Sequence, residues 1–279
     1  MTISVITDST ADMASDIAER EGITIVPLEV TICGETMSDG TLTQREFFER
    51  MNSAKSLPTT SQPSIGTFVQ TYEDALQKAE SVISVHISSK LSGTFDSARQ
   101  AAEKFAGKVH VFDSRNLSWG LSWQVIEAAR AAAKGLSLPE VLERLEWARV
   151  NSKMIVGLDS LDNLARGGRI GRVSAFLGSV LDLKVTFTVD ENGSFEPLGR
   201  SRGEKAALRY TLEWVDKQVE GVRRARFAVG HALGRERAEA LVEQLRARHE
   251  LAEVVIYEAG SAICTHTGTG WGVALIPER

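Results

Sequence analysis

Residues 81–87 read SVISVHI, a continuous apolar run set between two segments of helical pattern, IGTFVQTYEDALQKA before it and FDSARQAAEKF after it. A strand with one face in water alternates apolar and polar residues, whereas an unbroken apolar run fits a strand covered on both faces. The same unit recurs along the first half. TISVIT (2–7) predicts a strand, and Ser9 or Thr10 predicts the cap of a helix reaching about Arg20, where Gly22 stops it. ITIVPLEV (23–30) and KVHVFDS (108–114) predict two more strands, and 122–134 and 137–149 two more helices. Alternation of strands and helices predicts an α/β fold with a parallel sheet covered by helices on both sides.

After residue 150 the pattern changes. KMIVGLDS predicts a strand, LDNLAR a short helix, Gly167-Gly168 a break, and VSAFLGSVL (173–181) an apolar helix buried nearly all round. KVTFTVDENGSFEPLGRSR predicts a hairpin, because Asn192-Gly193 separates two alternating runs. ARFAVGHA, a helix over 235–248, EVVIYEAG and GWGVALIPE complete a mixed, largely antiparallel α+β half. The predicted architecture is therefore two domains, an α/β domain over 1–150 and an α+β domain over 151–279.

Composition excludes several function classes. A net charge of −5 argues against general nucleic-acid binding, which needs a basic face. Cys33 and Cys264 lie far apart in no metal-ligand spacing, and the five histidines share none. His86 and His110 sit in apolar strands, where a structural role is expected. The start MTISVITDST lacks the features of a signal peptide, and no apolar run approaches the length of a membrane span, so a cytoplasmic protein is expected. Walker A, G-x-G-x-x-G, H-E-x-x-H and G-x-S-x-G motifs are absent.

Three hydroxyl-rich segments fall where a parallel sheet presents its carboxyl ends: Asp8-Ser9-Thr10, Thr59-Thr60-Ser61, and Ser88 to Thr94. Backbone N–H groups at a helix start favour an anion, and small hydroxyls add donors without filling the space. Capping is the expected role of Ser9, Thr10 and Ser64. Ser92 and Gly93 are expected to meet a ligand, with Gly93 allowing close approach and unusual dihedrals. His266, in CTHTGTGWG, is the one histidine in a glycine-rich loop. A Ser92–His266 pair also fits a nucleophile and its base, but no carboxylate is placed to complete a triad. Arg169 and Arg172, after Gly167-Gly168, add guanidinium forks suited to a carboxylate or phosphate.

Taken together, VITDSTADM, PTTSQPSIGTF, ISSKLSGTFDSA, LARGGRIGRVSAFLGSVLDLK, GRSRGEKAAL and HTGTGWGVA resemble, in order and over the whole chain, the DegV family of bacterial fatty-acid-binding proteins. The resemblance implies a two-domain α/β protein, not an enzyme and without a cofactor, that holds a long-chain fatty acid between its halves. It implies presentation of the acid to a separate ATP-dependent fatty acid kinase, which makes acyl phosphate for phospholipid metabolism. By position, Thr60, Ser61, Ser92, Gly93 and His266 would hold the carboxylate, with Arg169 beside it. Arg202 would belong to the surface that meets the kinase, and transient contact with a membrane surface is compatible with this role. The alternatives are a serine/histidine acyl hydrolase or acyltransferase, and a sensor of an acidic metabolite. Three departures stand out: Thr269 replaces a common proline, Thr67 a common glutamate, and Trp119 and Trp123 smaller residues. One of those rings is expected either to pack core or to narrow the acyl tunnel.

Overall fold

In a computed structural model, residues 2–176 and 183–279 are described. The first half runs β1 (Ile3–Asp8), α1 (Ser15–Glu21), β2 (Ile23–Val26), β3 (Glu29–Ile32), β4 (Glu35–Ser38), α2 (Gln44–Ser53), β5 (Thr59–Ser61) and α3 (Ile65–Leu76). It continues through β6 (Ser81–His86), α4 (Thr94–Ala102), β7 (Val109–Asp113), α5 (Ser118–Ala133) and α6 (Leu138–Asn151). The second half comprises β8 (Lys153–Leu158), α7 (Asp162–Arg166), β9 (Leu183–Val189), β10 (Phe195–Arg202), α8 (Glu204–Gln218), β11 (Ala225–Ala232), α9 (Arg235–Arg248), β12 (Leu251–Glu258), α10 (Ser261–Thr267) and β13 (Gly270–Pro277).

β2, β1, β6 and β7 form a parallel sheet in that order, as the continuous apolar runs require. The chain moves to one side of β1 to make β2 and to the other to make β6 and β7. The carboxyl ends of β1 and β6 therefore flank a topological switch point, where open α/β sheets bind ligands. The second half is a six-stranded mixed sheet, β10-β9-β8-β13-β11-β12, in which β11 and β12 are parallel and the other pairs antiparallel.

α5 lies between the two sheets. From Ser118 to Ala129 every residue is buried, and its side chains share one apolar cluster with Val5 and Ile83 of the first sheet and Met154, Val156 and Ala274 of the second. A helix apolar all round needs partners on every side, and here both halves supply them. The other face of the six-stranded sheet, with Phe227, Trp271, Val273 and Leu275, packs against α8 and α9. The expected division between residues 150 and 151 falls at the C-terminal end of α6.

Local chemistry departs from the sequence expectations at four places. Ser9 and Thr10 do not start α1. Buried Asp8 accepts the Thr10 N–H at 3.0 Å, winding Ser9–Ala11 into a 3-10 turn, and Asp12 at φ +50° breaks it before α1 begins. ITIVPLEV is two strands in two sheets, separated at Pro27, which lacks a ladder N–H. α5 begins at Ser118, not Ser122. VSAFLGSVL begins within a 3-10 helix, Gly171–Phe176, with Val173 buried but Ser174 and Ala175 exposed; 177–182 lie outside the described residues. The hairpin forms as read, with Gly193 at φ +86° in a turn over Asp190–Ser194 whose N–H groups from Asn192 and Ser194 converge on Asp190 Oδ1.

Two aromatic rings lie across glycines of the second sheet. Trp271 covers Gly157, its register partner, on the α8 side, and donates its indole N–H to Thr211 Oγ1 at 3.1 Å. On the other side Tyr257 lies over Gly230, where a Cβ would overlap its ring. Gly230→Ala is therefore expected to lower stability by about 1–3 kcal/mol through overpacking, read as a reduced urea midpoint at unchanged m-value; a midpoint equal to wild type would show that the ring is free to move.

Candidate functional site

At the switch point the two halves enclose a cavity lined by Thr10, Thr60, Ile87, Leu91, Ser92, Leu117, Leu164, Arg169, Phe195, Ile263, His266 and Thr267, among others, with about 470 Å³ of empty space. A second cavity, of about 450 Å³, adjoins it and shares Leu117, Phe195, Ile263 and Thr267. Its remaining lining includes Met154, Val156, Leu158, Phe187, Tyr257 and three glycines, 230, 270 and 272. The first has a polar end of hydroxyls and one imidazole; the second is overwhelmingly apolar.

Each polar group is placed by its own element. His266 sits in the last turn of α10, and its Nε2 lies 2.8 Å from Thr60 Oγ1. Burial, with the nearby Arg169 charge adding to it, holds the imidazole down to about 4, so it is neutral at pH 7. Gly167 packs against it so closely that a Cβ there would meet Nδ1 at 2.5 Å, a physical reason for one glycine of the Gly167-Gly168 pair. Thr60 is the middle residue of β5, whose partner is Val30 of β3. Ser92 precedes α4, its Oγ 2.9 Å from Thr94 Oγ1 and 3.3 Å from the Thr94 N–H it accepts. Thr60, Ser92, Arg169 and His266 are thus brought together on one cavity.

Two sequence-picked residues stand apart. Ser61 is exposed and does not line the cavity, because neighbouring strand residues point to opposite faces and Thr60 takes the inner one. Gly93 does not line it either. Its φ of −75° is ordinary, and a Cβ there would overlap the carboxamide of Gln62, which donates to Ser97 Oγ at 2.9 Å. The close neighbour is the far end of the exposed Gln62 side chain, which can move aside, so neither packing nor an unusual dihedral demands glycine there. Arg202 is exposed at the end of β10, in register with Leu183. Arg169 is exposed at the rim, Nη1 donating to the Gly167 carbonyl at 2.8 Å, and an open cleft outside it holds Lys90 and Arg172, the latter paired with Asp190 at 2.8 Å.

Ser92 bonds Thr94 and His266 bonds Thr60, so a Ser92–His266 nucleophile–base pair is not made. A base held near 4 is also poorly matched to neutral pH. Among the described residues no cluster of His, Cys, Asp or Glu has the make-up of a metal site.

Sequence reading did not pick out the polar chain behind the cavities. The Tyr257 hydroxyl and Asp12 Oδ2 flank Ser118 Oγ at 2.9 and 2.5 Å, and Asp12 Oδ1 accepts the Gly260 N–H at 2.8 Å. Asp39 accepts the Ala262 N–H at 3.0 Å, so two carboxyl groups hold the start of α10, the helix that carries His266. Asp12 followed a recognised motif, but nothing local marks Tyr257 or Ser118 as its partners. Trp119 and Trp123 line neither cavity. Trp119 instead donates to the Asp12 carbonyl at 3.0 Å and packs at 5.6 Å on Tyr257, while Trp123 stacks under Arg226. Thr67, where a glutamate was expected, keeps the Ser64 cap through its N–H at 3.0 Å and a hydroxyl contact at 2.8 Å.

The comparisons with known proteins agree with this arrangement. The profile of the DegV family, described as an uncharacterised protein family, matches residues 2–278. The chain belongs to the DegV family. It is 38% identical over 279 residues to a DegV domain-containing protein of Deinococcus radiodurans, covering 99% of each chain. Among solved structures, a DegV family protein of Thermus thermophilus described for its fatty acid binding matches with a TM-score of 0.95, at 38% identity and 100% coverage of both chains. DegV of Bacillus subtilis, a fatty acid binding protein, matches with a TM-score of 0.88 at 32% identity, again covering 100% of both chains.

Burial above all raises Asp12 to about 7, against 3.8 for a free side chain, with Asp39 and Asp8 adding to it and the Ser118 and Gly260 bonds opposing it. The native carboxyl then keeps its proton up to about pH 7 while the unfolded one loses it near 3.8, so this group's contribution to stability falls as pH rises through that window. Asp12→Asn, which carries no such proton, is expected to gain on wild type in urea midpoint between about pH 4 and 7; a constant difference would mean Asp12 titrates normally.

Proposed function

We propose that this chain is a non-catalytic carrier that binds a long-chain fatty acid, its carboxylate at the Thr60–Ser92–His266 end and its acyl chain in the apolar cavity. The observation that carries the reading is the shared wall of the two cavities: Leu117, Phe195, Ile263 and Thr267 belong to both, so one elongated amphipathic ligand passes from hydroxyls to hydrocarbon. Burial of each methylene contributes about 0.8 kcal/mol, so the chain sets affinity. Hydroxyl and imidazole donors supply the hydrogen bonds that a buried carboxylate needs. The fatty acid binding described for the Thermus thermophilus and Bacillus subtilis proteins supports the same ligand here.

Mass spectrometry of lipid extracted from the purified protein is expected to release a long-chain acid. Ser92→Ala and Thr60→Val are each expected to weaken rebinding roughly tenfold, the order of one charge-assisted hydrogen bond. Hydrolysis of acyl esters lost in Ser92→Ala, with no acid recovered, would replace the carrier with a hydrolase.

The finer reading is hand-off to an ATP-dependent fatty acid kinase. Its support is the exposed basic rim, Lys90, Arg169 and Arg172, on a chain of net charge −5, with Arg202 exposed at the end of β10. The carboxylate end opens towards this rim through Arg169, so a partner seated there reaches the head group. Arg202→Glu is expected to leave fatty-acid affinity at the wild-type value while reducing phosphorylation of the bound acid by a cognate kinase at least tenfold. Equal loss of both would show that Arg202 serves the pocket rather than a partner.

A further inference from the structure

The floor of the apolar cavity is built from register rows of three adjacent strands. Leu158 of β8 pairs with Gly270 of β13, which pairs with Ala232 of β11; Val156, Gly272 and Gly230 form the second row; Met154, Ala274 and Ala228 the third. These residues share the face turned towards α5, since Trp271, Val273 and Leu275 occupy the other. Gly270 follows closely on Thr267 and His266, so the first row lies nearest the polar end. Each further row lies roughly 6.8 Å deeper, two strand residues at about 3.4 Å each. Along β13 this face reads Gly270, Gly272, Ala274, Ile276: side chains grow as the cavity deepens. Ile276 is in register with buried Arg226, whose guanidinium is paired with buried Glu127. An acyl chain cannot displace that ion pair without stranding the buried Arg226 charge, Glu127 keeping Arg144 at 2.7 Å, so the floor has a fixed end.

The glycines of this floor are not equivalent. At Gly270 a Cβ would overlap the Gly157 carbonyl, and at Gly230 the Tyr257 ring, so both are required by protein packing alone. At Gly272 the nearest atoms to a Cβ are Ile155 O and the Tyr257 hydroxyl at 3.6 Å and Met154 Cε at 3.7 Å, ordinary contact distances. Its φ lies outside the left-handed region. Nothing in the backbone demands glycine there, and what its missing side chain leaves open is cavity.

We infer that Gly272, facing Met154 across the deep end of the apolar cavity, sets the length of acyl chain this protein accepts. Gly272 keeps the second row open, and the Met154 side chain closes the third. The inference rests on the fatty-acid reading of the cavities and adds to it the residues that measure the ligand.

The test is the affinity of the delipidated protein for straight saturated acids of eight to eighteen carbons, for wild type, Gly272→Val and Met154→Ala. A valine side chain adds three carbons, the space of about three methylenes. The best-bound acid is expected to shorten by two or more carbons in Gly272→Val, with the wild-type optimum bound roughly 60-fold more weakly, at about fourfold per methylene. Met154→Ala, which deepens the cavity, is expected to move the optimum the other way. Should Gly272→Val fail to fold, judged by its unfolding curve, the direction of the Met154→Ala shift decides alone. Length profiles identical to wild type in the folded variants would overturn the gauge and leave the fatty-acid reading standing. Failure of the wild type to bind any acid in the series would overturn both.

Discussion

The burial of α5 between the two sheets is the constraint from which the rest of this molecule follows. A helix buried on all sides from Ser118 to Ala129 joins the parallel sheet and the mixed sheet through one continuous apolar cluster. The halves cannot part without exposing it, which at about 25 cal/mol per Å² of apolar surface is prohibitive for two large indole rings alone. Packing is complete along the body of the helix and stops at its N-terminal end. There Leu117 and Ser118 face the cavities rather than more protein. The binding space is what remains where a shared helix begins and two sheets diverge.

Most polar groups at that end are paired within the protein, whereas His266 Nδ1 is buried without a partner. Asp12, Ser118 and Tyr257 satisfy one another, and the second Asp12 oxygen caps α10 together with Asp39. Burial raises Asp12 to about 7, so much of it is protonated at neutral pH and the deep cavity carries less charge than an ordinary carboxylate would bring. The same wiring fixes the helix that carries His266. Pocket wall and head-group donor are thereby set by one hydrogen-bonded unit spanning both halves.

How much of this was legible in the sequence depends on the range of the interaction. Apolar periodicity carried the parallel sheet because strand burial writes itself into consecutive residues such as 81–87. Asn192-Gly193 carried the hairpin because that turn is local chemistry. Pro27 was visible, yet which sheet each flanking strand joins depends on partners far along the chain. Ser61 and Gly93 show the limit at the site. A motif names a stretch, but strand alternation decides which of Thr60 and Ser61 faces inward, and Gly93 sits beside Gln62 rather than on the cavity. Tyr257, Ser118 and the three-strand floor were illegible, since they meet only across 139 residues or through strand register.

On the proposed fatty-acid reading, the distribution of charge separates head-group recognition from affinity. A buried arginine facing the carboxylate would give a tight ion pair, but partners must be desolvated together, and a carboxylate so held is a poor candidate for transfer. Here the groups within the cavity are hydroxyls and an imidazole held neutral by burial. The nearest guanidinium, Arg169, is exposed and tied to the Gly167 carbonyl. Charge therefore acts at the rim, through solvent, while the interior contributes directional hydrogen bonds. On the proposed fatty-acid reading, affinity would reside mostly in the hydrocarbon wall and the carboxylate would be the most accessible and least compensated part of the ligand.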